Sequence, residues 1–299
     1  MEKPERRRGR KILPVILLII ILLIVTLLID GNTRLVVTEY ELGYKNLPAS
    51  FDGFRIVFIS DTHASEFGKN NAKLLEKIKG AQPDIIVVGG DVIDHDKQPP
   101  LERQIEIAET LVDGLTQIAP VYYITGNHEW DSGGIRQLLP MLEERGVHIL
   151  RNDYTVLESD VDGYAVLDAA EDVIILAGTD DPNGPADMIK PRAFVDDIRA
   201  AEGEQFIIML EHRNRNLPLY SELNVDLVIC GHAHGGLIRL PFTDGLIGPS
   251  REWFPSYTKG VYSMGDTNMV VSRGVGNHTG VPRFLNNPEV VVVTVVASS

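Results

Sequence analysis

Residues 54–63 read FRIVFISDTH, and this stretch decides the fold. Its apolar half, 54–59, predicts a buried strand that leads directly into the polar segment SDTH. The same pattern of an apolar strand followed by a polar cluster recurs at 84–91 (DIIVVGGD) and at 121–129 (VYYITGNHE). Each of the three strands therefore predicts a site loop at its carboxyl end.

Amphipathic helices are predicted between these strands. Residues 70–79 place apolar side chains on one helical face and are followed by Gly80, and a second helix is predicted at 101–118. The order strand, helix, strand, helix, strand is typical of βαβ units, whose ligand sites lie at the carboxyl ends of the strands. We therefore expect the three polar clusters to lie at one edge of a sheet.

The rest of the domain is predicted to consist mainly of strands. Alternating polar and apolar residues predict a strand at 33–44, before the deciding stretch. Further strands are predicted at 147–150, 154–157, 164–167, 173–176, 206–210, 227–230, 269–272 and 290–296. Two stacked sheets with helices on their outer faces would accommodate all of them, so one large catalytic domain is expected over residues 31–299.

The first 30 residues differ in composition from the rest of the chain. Six basic residues before position 12 are followed by eighteen nearly uninterrupted apolar residues, 12–29. That length suffices to cross a bilayer, and no small-residue cleavage site follows it. We predict that residues 1–30 are a cytoplasmic basic tail and an uncleaved transmembrane signal anchor. The protein would then be single-pass in the cell membrane with its catalytic domain extracytoplasmic, because positive charge stays in the cytoplasm. The alternatives are a cleaved signal and export by another route.

The charge of the chain disfavours one broad class of partner. The net charge is −14, and because residues 1–29 hold six basic and two acidic side chains, the remainder carries −18. Such an acidic surface repels nucleic-acid phosphates, so no general nucleic-acid binding is expected. Cys230 is the only cysteine, which excludes an intrachain disulfide, and its place at the end of an apolar strand predicts a buried, inert thiol.

Seven potential metal ligands follow apolar strands in five clusters. They are Asp61, His63, Asp91, Asn127, His212, His232 and His234. Residues two apart in an extended chain point the same way, so Asp61 and His63 are expected to reach one ion together, whereas His232 and His234 can diverge at a turn. Carboxylate, imidazole and amide ligands without a thiolate cluster suit Mn²⁺, Fe or Zn²⁺ in a catalytic site.

The ligand set favours two divalent ions over one. Two ions can clamp the attacking and leaving oxygens of a phosphoryl displacement, and Asp91 is the natural bridge between them. They bring more positive charge than Asp61 and Asp91 return, so the pocket would attract a phosphate inside an acidic protein. Taken singly, each residue has an ordinary explanation, since Asp61 and Asn127 can cap helices and His212 can be a hydrogen-bonded strand-end residue. Their joint occurrence is what predicts the metal site.

The order of these clusters resembles a known family. D-x-H at 61–63, G-D-x-x-D at 90–94, G-N-H-E at 126–129, a lone His212 and G-H-x-H at 231–234 look like the motifs of the calcineurin-like metallophosphoesterases. Within that superfamily the sequence resembles the bacterial membrane-associated branch described as YkuE-like or YaeI-like. The resemblance implies an α/β fold, a four-layer αββα sandwich, here preceded by one N-terminal transmembrane helix.

The same resemblance implies a role for each matching residue. One metal would be held by Asp61, His63, Asp91 and His234, and the other by Asp91, Asn127, His212 and His232. His128 would face the substrate and protonate the leaving oxygen or stabilise charge on the phosphoryl oxygens, and Asp94 would orient its imidazole. The Ser/Thr protein phosphatases of this superfamily have an arginine where His95 stands, so a phosphoprotein substrate is disfavoured.

Together these observations predict a metal-dependent phosphoric ester hydrolase. A metal-bridging hydroxide would attack a phosphomonoester or phosphodiester directly. Because the anchor keeps the site near the membrane, a small or lipid-linked envelope molecule is the expected substrate. The alternatives are a pyrophosphate hydrolase of nucleotide-linked acylated sugars and a catalytically silent, membrane-anchored metal-binding scaffold, against which the intact His128 argues. Outside the motifs, His148 is expected to be a packed strand residue, and Arg273 and His278 are weaker candidates for the border of the pocket.

Overall fold

The computed structural model describes residues 9–95, 98–158, 172–185, 189–249, 251–277 and 280–298. The helices are α1 Gly9–Thr33, α2 Ala72–Gly80, α3 Leu101–Leu115, α4 Asn127–Ser132, α5 Ile135–Glu144, α6 Pro191–Glu202 and α7 Leu217–Glu222. The strands are β1 Val36–Tyr44, β2 Phe54–Ile59, β3 Ile85–Val88, β4 Val121–Tyr123, β5 His148–Ile149, β6 Asp153–Glu158, β7 Val173–Gly178, β8 Phe206–Leu210, β9 Leu227–Cys230, β10 Gly260–Met264, β11 Thr267–Val271 and β12 Glu289–Ala297. Short 3₁₀ helices lie at Ala49–Phe51, Lys69–Asn71 and His234–Gly236.

The strands form two six-stranded sheets. The first has the order β1-β12-β2-β3-β4-β5, and the second has the order β10-β11-β9-β8-β7-β6. Strands β2 to β5 run parallel, as the alternation of strands and helices predicts, and β7, β8 and β9 form a second parallel run. These central strands are almost entirely apolar because both faces of each sheet are covered.

Three buried apolar layers hold the sheets and helices together. Side chains such as Leu74 and Leu111 pack α2 and α3 onto the first sheet. The two sheets face each other through residues that include Phe58 and Ile208. Helices α6 and α7 cover the outer face of the second sheet, where Ile198 contributes to the third layer. The predicted four-layer αββα sandwich is confirmed.

The first helix continues beyond the predicted end of the anchor. Strand β1 was expected from residue 33, but α1 reaches Thr33 and β1 begins only at Val36. The helix is held at this end by contacts that are distant in sequence, since the Asn32 side-chain amide donates to the carbonyl of Arg283 at 2.9 Å, 251 residues away. A local alternation of residues cannot show such a contact, and the predicted start of the strand was therefore wrong.

Two smaller differences concern a helix and a strand. Helix α2 begins at Ala72 rather than at residue 70, because Asn70 and Asn71 take left-handed backbone conformations with φ of 56° and 58°. Strand β10 was not predicted, and it pairs antiparallel with β11. The strand predicted at 164–167 lies outside the described residues.

One N-terminal helix is long and apolar enough to cross a membrane. It spans Ile12–Thr33 with a mean hydropathy of 3.6 in its most apolar window, and none of that window is buried against the domain. Its large apolar side chains are exposed along the whole run from Ile12 to Val25. Lipid would cover a surface that the protein itself leaves uncovered.

Candidate metal centre

Loops from both sheets meet at the site. The loops after β2 and β3 bring Asp61, His63 and Asp91, and the loops after β8 and β9 bring His212, His232 and His234. Asn127 follows β4 as the first residue of α4. The carboxylates and imidazoles of this set are buried. The carboxyl ends of the two parallel runs of strands therefore lie together, and ligand sites in α/β sheets are found at such strand ends.

A first group of ligand atoms is formed by Asp61, His63 and His234. The Nε2 atoms of His63 and His234 are 3.3 Å apart, and Nε2 of His234 lies 3.5 Å from Oδ1 of Asp61. All three side chains offer a ligand atom within 4.8 Å of the others. Ser60 donates its hydroxyl to the other carboxylate oxygen of Asp61 at 2.5 Å, which orients this carboxylate.

A second group is formed by Asp91, His212 and His232. Oδ2 of Asp91 lies 3.2 Å from Nε2 of His212, and Nε2 of His212 lies 3.2 Å from Nδ1 of His232. The same Oδ2 is 3.9 Å from Nε2 of His63, which belongs to the first group. Asp91 thus lies between the two groups. His232 and His234 diverge into different groups, as their turn predicts.

The donor atoms fit divalent cations. Among the described residues, Oδ1 of Asn127 and Nε2 of His232 are buried without a hydrogen-bond partner. A buried amide oxygen or imidazole nitrogen in that state is costly unless a bound ion satisfies it. Carboxylate, imidazole and amide donors together match Mn²⁺, Fe or Zn²⁺, and the clusters support a binuclear site.

The electrostatics of the protein alone also fit cation binding. Burial would lower the pKa of His212, but the carboxylate of Asp91 outweighs this effect and raises the pKa to about 10. Burial likewise would raise the pKa of Asp91, and the surrounding rings of His212, His63 and His128 hold it well below its usual value. Negative charge therefore draws a proton onto His212, whereas burial and the charge of His212 hold the pKa of His232 well below its usual value. A divalent cation would displace the proton of His212, so its affinity falls as the pH falls.

The backbone of the ligand loops differs from the predicted geometry. Asp61 and His63 do not lie in extended chain, because β2 ends at Ile59 and both residues have positive φ angles of 53° and 44°. The argument from side-chain alternation was therefore wrong for this pair, although the two side chains do converge. Positive φ also occurs at Asp91, His232 and His234. Such conformations cost about 1–3 kcal/mol each in non-glycine residues and cluster at functional sites.

Two glycines allow the ligand loops to approach each other. A β-carbon at Gly126 would lie 2.2 Å from Oδ1 of Asp91, and one at Gly231 would lie 2.4 Å from the hydroxyl oxygen of Ser60. Real β-carbon contacts are never this short. Any side chain at either position would displace a ligand loop.

Glu129 holds two of the loops in place, and the sequence analysis assigned it no role. Its Oε2 accepts the backbone N–H groups of Gly126 and Asp91 at 2.7 and 3.0 Å, and its Oε1 accepts that of Val92 at 2.6 Å. Burial, followed by the charge of Asp91, raises the pKa of Glu129 to about 7. Its place as the last residue of G-N-H-E was the available signal.

His128 lies beside the candidate metal ligands and is contacted by Asp94, the residue predicted to orient it. Its Nε2 is 3.9 Å from Oδ2 of Asp91, and its Nδ1 is 3.0 Å from Oδ1 of Asp94. Burial would lower the pKa of His128, but the hydrogen bond to Asp94 and the charge of Asp91 raise it. His95, which stands where the related protein phosphatases have an arginine, also contacts this imidazole, with Nδ1 atoms 2.8 Å apart.

Comparison with known proteins agrees with this geometry. The sequence model of the calcineurin-like phosphoesterases matches residues 54–236, which is more than half of the chain. The chain belongs to the calcineurin-like phosphoesterase family. It is similar to the metallophosphoesterase YkuE of Bacillus subtilis, with 30% identity over 88% of this chain and 86% of the relative. It is also similar to the phosphodiesterase YaeI of Escherichia coli, with 25% identity over 81% of this chain and 82% of the relative.

A further relative is described by its name as a transmembrane protein. The Danio rerio protein named transmembrane protein with metallophosphoesterase domain is 27% identical over 82% of this chain, which spans 54% of that relative. The predicted superfamily and its bacterial branch are confirmed, and this calcineurin-like phosphoesterase has an N-terminal helix that could anchor in a membrane.

The remaining candidates of the sequence analysis lie outside the ligand groups of this phosphoesterase. Arg273 is buried, and its guanidinium pairs with Glu289 at 2.9 Å. His278 lies outside the described residues. His148 is a strand residue of β5 as predicted, although it is exposed and stacks on Tyr122. The Cys230 thiol is buried as predicted, and burial raises its pKa well above the usual value.

Proposed function

We propose that this protein is a two-metal phosphoesterase that hydrolyses a phosphomonoester or phosphodiester by direct attack of water on phosphorus, without a covalent phosphoenzyme. The observation that carries the proposal is the position of Asp91 between two groups of buried ligands, 3.2 Å from Nε2 of His212 and 3.9 Å from Nε2 of His63. One carboxylate can then serve both ions. When bound, the ions would supply Lewis acidity, lower the pKa of a water and offset the charge of the phosphoryl oxygens.

The proposed ligand residues would hold the two ions as two sets. Asp61, His63 and His234 would hold one ion, and Asn127, His212 and His232 would hold the other, with Asp91 shared. The carbonyl of His212 accepts the N–H of Gly231 at 3.1 Å, and Nδ1 of His212 lies 2.8 Å from the carbonyl oxygen of Gly89. This contact directs Nε2 towards Asp91.

His128 is proposed as the group that transfers a proton to the leaving oxygen. Asp94 lies at Nδ1, on one side of the ring, which directs Nε2 towards Asp91 and the ligand groups. A protonated imidazole in that position can donate its Nε2 proton to a departing alkoxide or stabilise charge on a phosphoryl oxygen. Asp94 is proposed as a positioning residue.

The location of the enzyme is part of the proposal. We place residues 1–30 as the basic tail and anchor, with the N-terminus in the cytoplasm and the catalytic domain 31–299 outside it, because the basic residues precede the span. The anchor would keep the site close to a lipid surface. A small or lipid-linked phosphoester of the cell envelope is therefore the proposed substrate class.

The test is hydrolysis of paired chromogenic phosphomonoester and phosphodiester substrates by the full chain in detergent micelles with Mn²⁺. We expect turnover of at least one ester that disappears in EDTA and returns with added metal, because all the proposed ligands are carboxylate, imidazole or amide groups. The ratio of the two rates gives the bond preference. Equal rates with and without EDTA would contradict the proposal.

A further inference from the structure

Large apolar side chains are exposed on two neighbouring loops of the domain. Trp253 and Phe254 are 69% and 72% exposed, and Phe242 is fully exposed. Leu240 and Leu285 are also exposed, at 44% and 37%. We call these five residues the apolar rim. Aromatic rings of this size normally lie inside a domain or at an interface, so their joint exposure needs a partner.

The rim begins where the N-terminal helix meets the domain. The side-chain amide of Asn32 donates to the carbonyl of Arg283 at 2.9 Å, and the backbone N–H of Arg283 donates back to Oδ1 of Asn32 at 3.0 Å. The Asn287 side-chain amide donates to the carbonyl of Asp30 at 2.8 Å. The segment 283–287, which contains Leu285, is therefore held against the end of α1.

Backbone hydrogen bonds connect this segment to the aromatic loop. The N–H of Arg239 donates to the carbonyl of Phe284 at 3.0 Å, and Leu246 donates to the carbonyl of Ile238 at 2.8 Å. Phe254 in turn donates to the carbonyl of Leu246 at 2.9 Å. The rim is thus one continuous structure that extends from the helix end to Phe254.

The position of the helix end relative to the lipid follows from the length of the apolar run. Residues 12–29 rise about 27 Å as a helix, which matches the hydrocarbon thickness of a bilayer. The boundary of the hydrocarbon then lies near Asp30, whose carboxylate pairs with Arg34 at 2.6 Å in a way suited to the headgroup region. Segment 283–287 is bonded to Asp30 and Asn32, so it lies at the same level.

We infer that the apolar rim inserts into the lipid interface beside the anchor, which gives the domain a second contact with the membrane. Tryptophan and phenylalanine are the side chains expected at that level, because their rings combine apolar area with tolerance of the polar boundary. Continuity with the end of α1 favours lipid over a protein partner. This inference rests on the proposed anchor.

The contact would also orient the metal centre. The Asn214 side-chain amide, two residues after His212, donates to the carbonyls of Tyr257 and Ser256 at 2.7 and 3.2 Å. These carbonyls belong to the same loop as Trp253 and Phe254. The loop that enters the lipid is therefore hydrogen-bonded to a ligand loop, so the rim would fix the mouth of the site with respect to the membrane surface.

The test uses the fluorescence of Trp253 in the full chain reconstituted into phosphatidylcholine vesicles. The sequence has only two tryptophans, so Trp130→Phe leaves Trp253 as the sole emitter. We expect lipids brominated near the headgroup end of their acyl chains to remove at least about half of the Trp253 emission, as expected for a ring at the interface. The matched variant Trp253→Phe keeps half-buried Trp130, whose Nε1 lies 3.2 Å from Asp180, and its emission should not change.

Three outcomes would overturn the inference. If brominated lipids do not change the emission of Trp253 and alkaline carbonate leaves the protein in the membrane, insertion of the rim into lipid is refuted and the anchor is retained. Release of the protein by carbonate would refute both. Emission shielded from aqueous acrylamide but also unaffected by brominated lipids would assign the rim to a contact between protein copies. Phosphoesterase activity on a soluble ester, measured in the same vesicles, is independent of all three readouts.

Discussion

Asp91→Asn is expected to abolish turnover, with kcat/KM lower by at least about 1000-fold, or about 4 kcal/mol of transition-state stabilisation. The carboxylate lies between both ligand groups, so its loss weakens both proposed ion positions together. Asparagine keeps the volume of the side chain and an oxygen that can accept the backbone N–H of His128, which Oδ1 of Asp91 accepts at 2.9 Å. Activity and bound metal per chain are measured on the same sample.

Asp226→Asn is the matched control for this substitution. Asp226 is a partly buried carboxylate that accepts the N–H of Ile207 at 2.7 Å, and it precedes β9 at the end opposite to the ligand loop. Its replacement is expected to reduce stability but to leave kcat per folded molecule unchanged. An Asp91→Asn protein with wild-type turnover and metal content would rule out the shared carboxylate.

His128→Ala is expected to lower kcat by about 10² to 10⁴ while the bound metal stays at the wild-type level. The imidazole is placed to protonate the leaving oxygen but contributes no proposed metal ligand, so binding and chemistry separate in this variant. The effect should shrink for an ester whose leaving group is a weak base, because such a group departs without a proton. The measurement compares kcat for leaving groups of different basicity.

His148→Ala controls for the loss of an imidazole. His148 is exposed on β5 and stacks on Tyr122 outside the ligand groups, so kcat should not change. If His128→Ala instead loses metal together with activity, the residue is a ligand rather than a proton donor. An equal loss for all leaving groups would also contradict the proton-transfer role.

The sequence predicts the layered fold well because its strands are short, apolar and separated by clear amphipathic helices. Strands β2, β3 and β4 and their polar ends follow directly from residues 54–63, 84–91 and 121–129. Parallel strands bring their carboxyl ends to one edge, and this rule is enough to predict which side chains meet. The aspartates and histidines of the two ligand sets that the family resemblance implies also lie together.

Features that depend on distant contacts were not predictable. The end of α1 is determined by the bonds between Asn32 and Arg283, and the sequence near residue 33 reads equally well as a strand. The left-handed backbone of Asp61 and His63 is imposed by neighbouring loops, for example through the N–H of Asp61, which donates to the carbonyl of Gly90 at 2.9 Å. No local pattern carries that information.

Two residues that support the site, Glu129 and His95, were also assigned no role from the sequence. Glu129 is the last residue of G-N-H-E, but its role follows only from its carboxylate, which accepts backbone N–H groups from two separate loops. From the sequence, His95 was considered only as the position where the related protein phosphatases have an arginine. Its contact with His128 depends on the path of the loop after Asp91. The exposure of Phe242 and Trp253 likewise follows from tertiary packing, because an aromatic residue in a loop is as compatible with burial.

The most direct test is a metal titration of the metal-free full chain, with bound Mn²⁺ and hydrolysis of the chromogenic esters measured at each step. Turnover is expected to rise until two ions are bound per chain and then to stay constant, because Asp91 lies between two groups of buried carboxylates and imidazoles. Full turnover with a single bound ion would contradict the two-metal site, and two bound ions without hydrolysis of either ester would contradict the phosphoesterase activity.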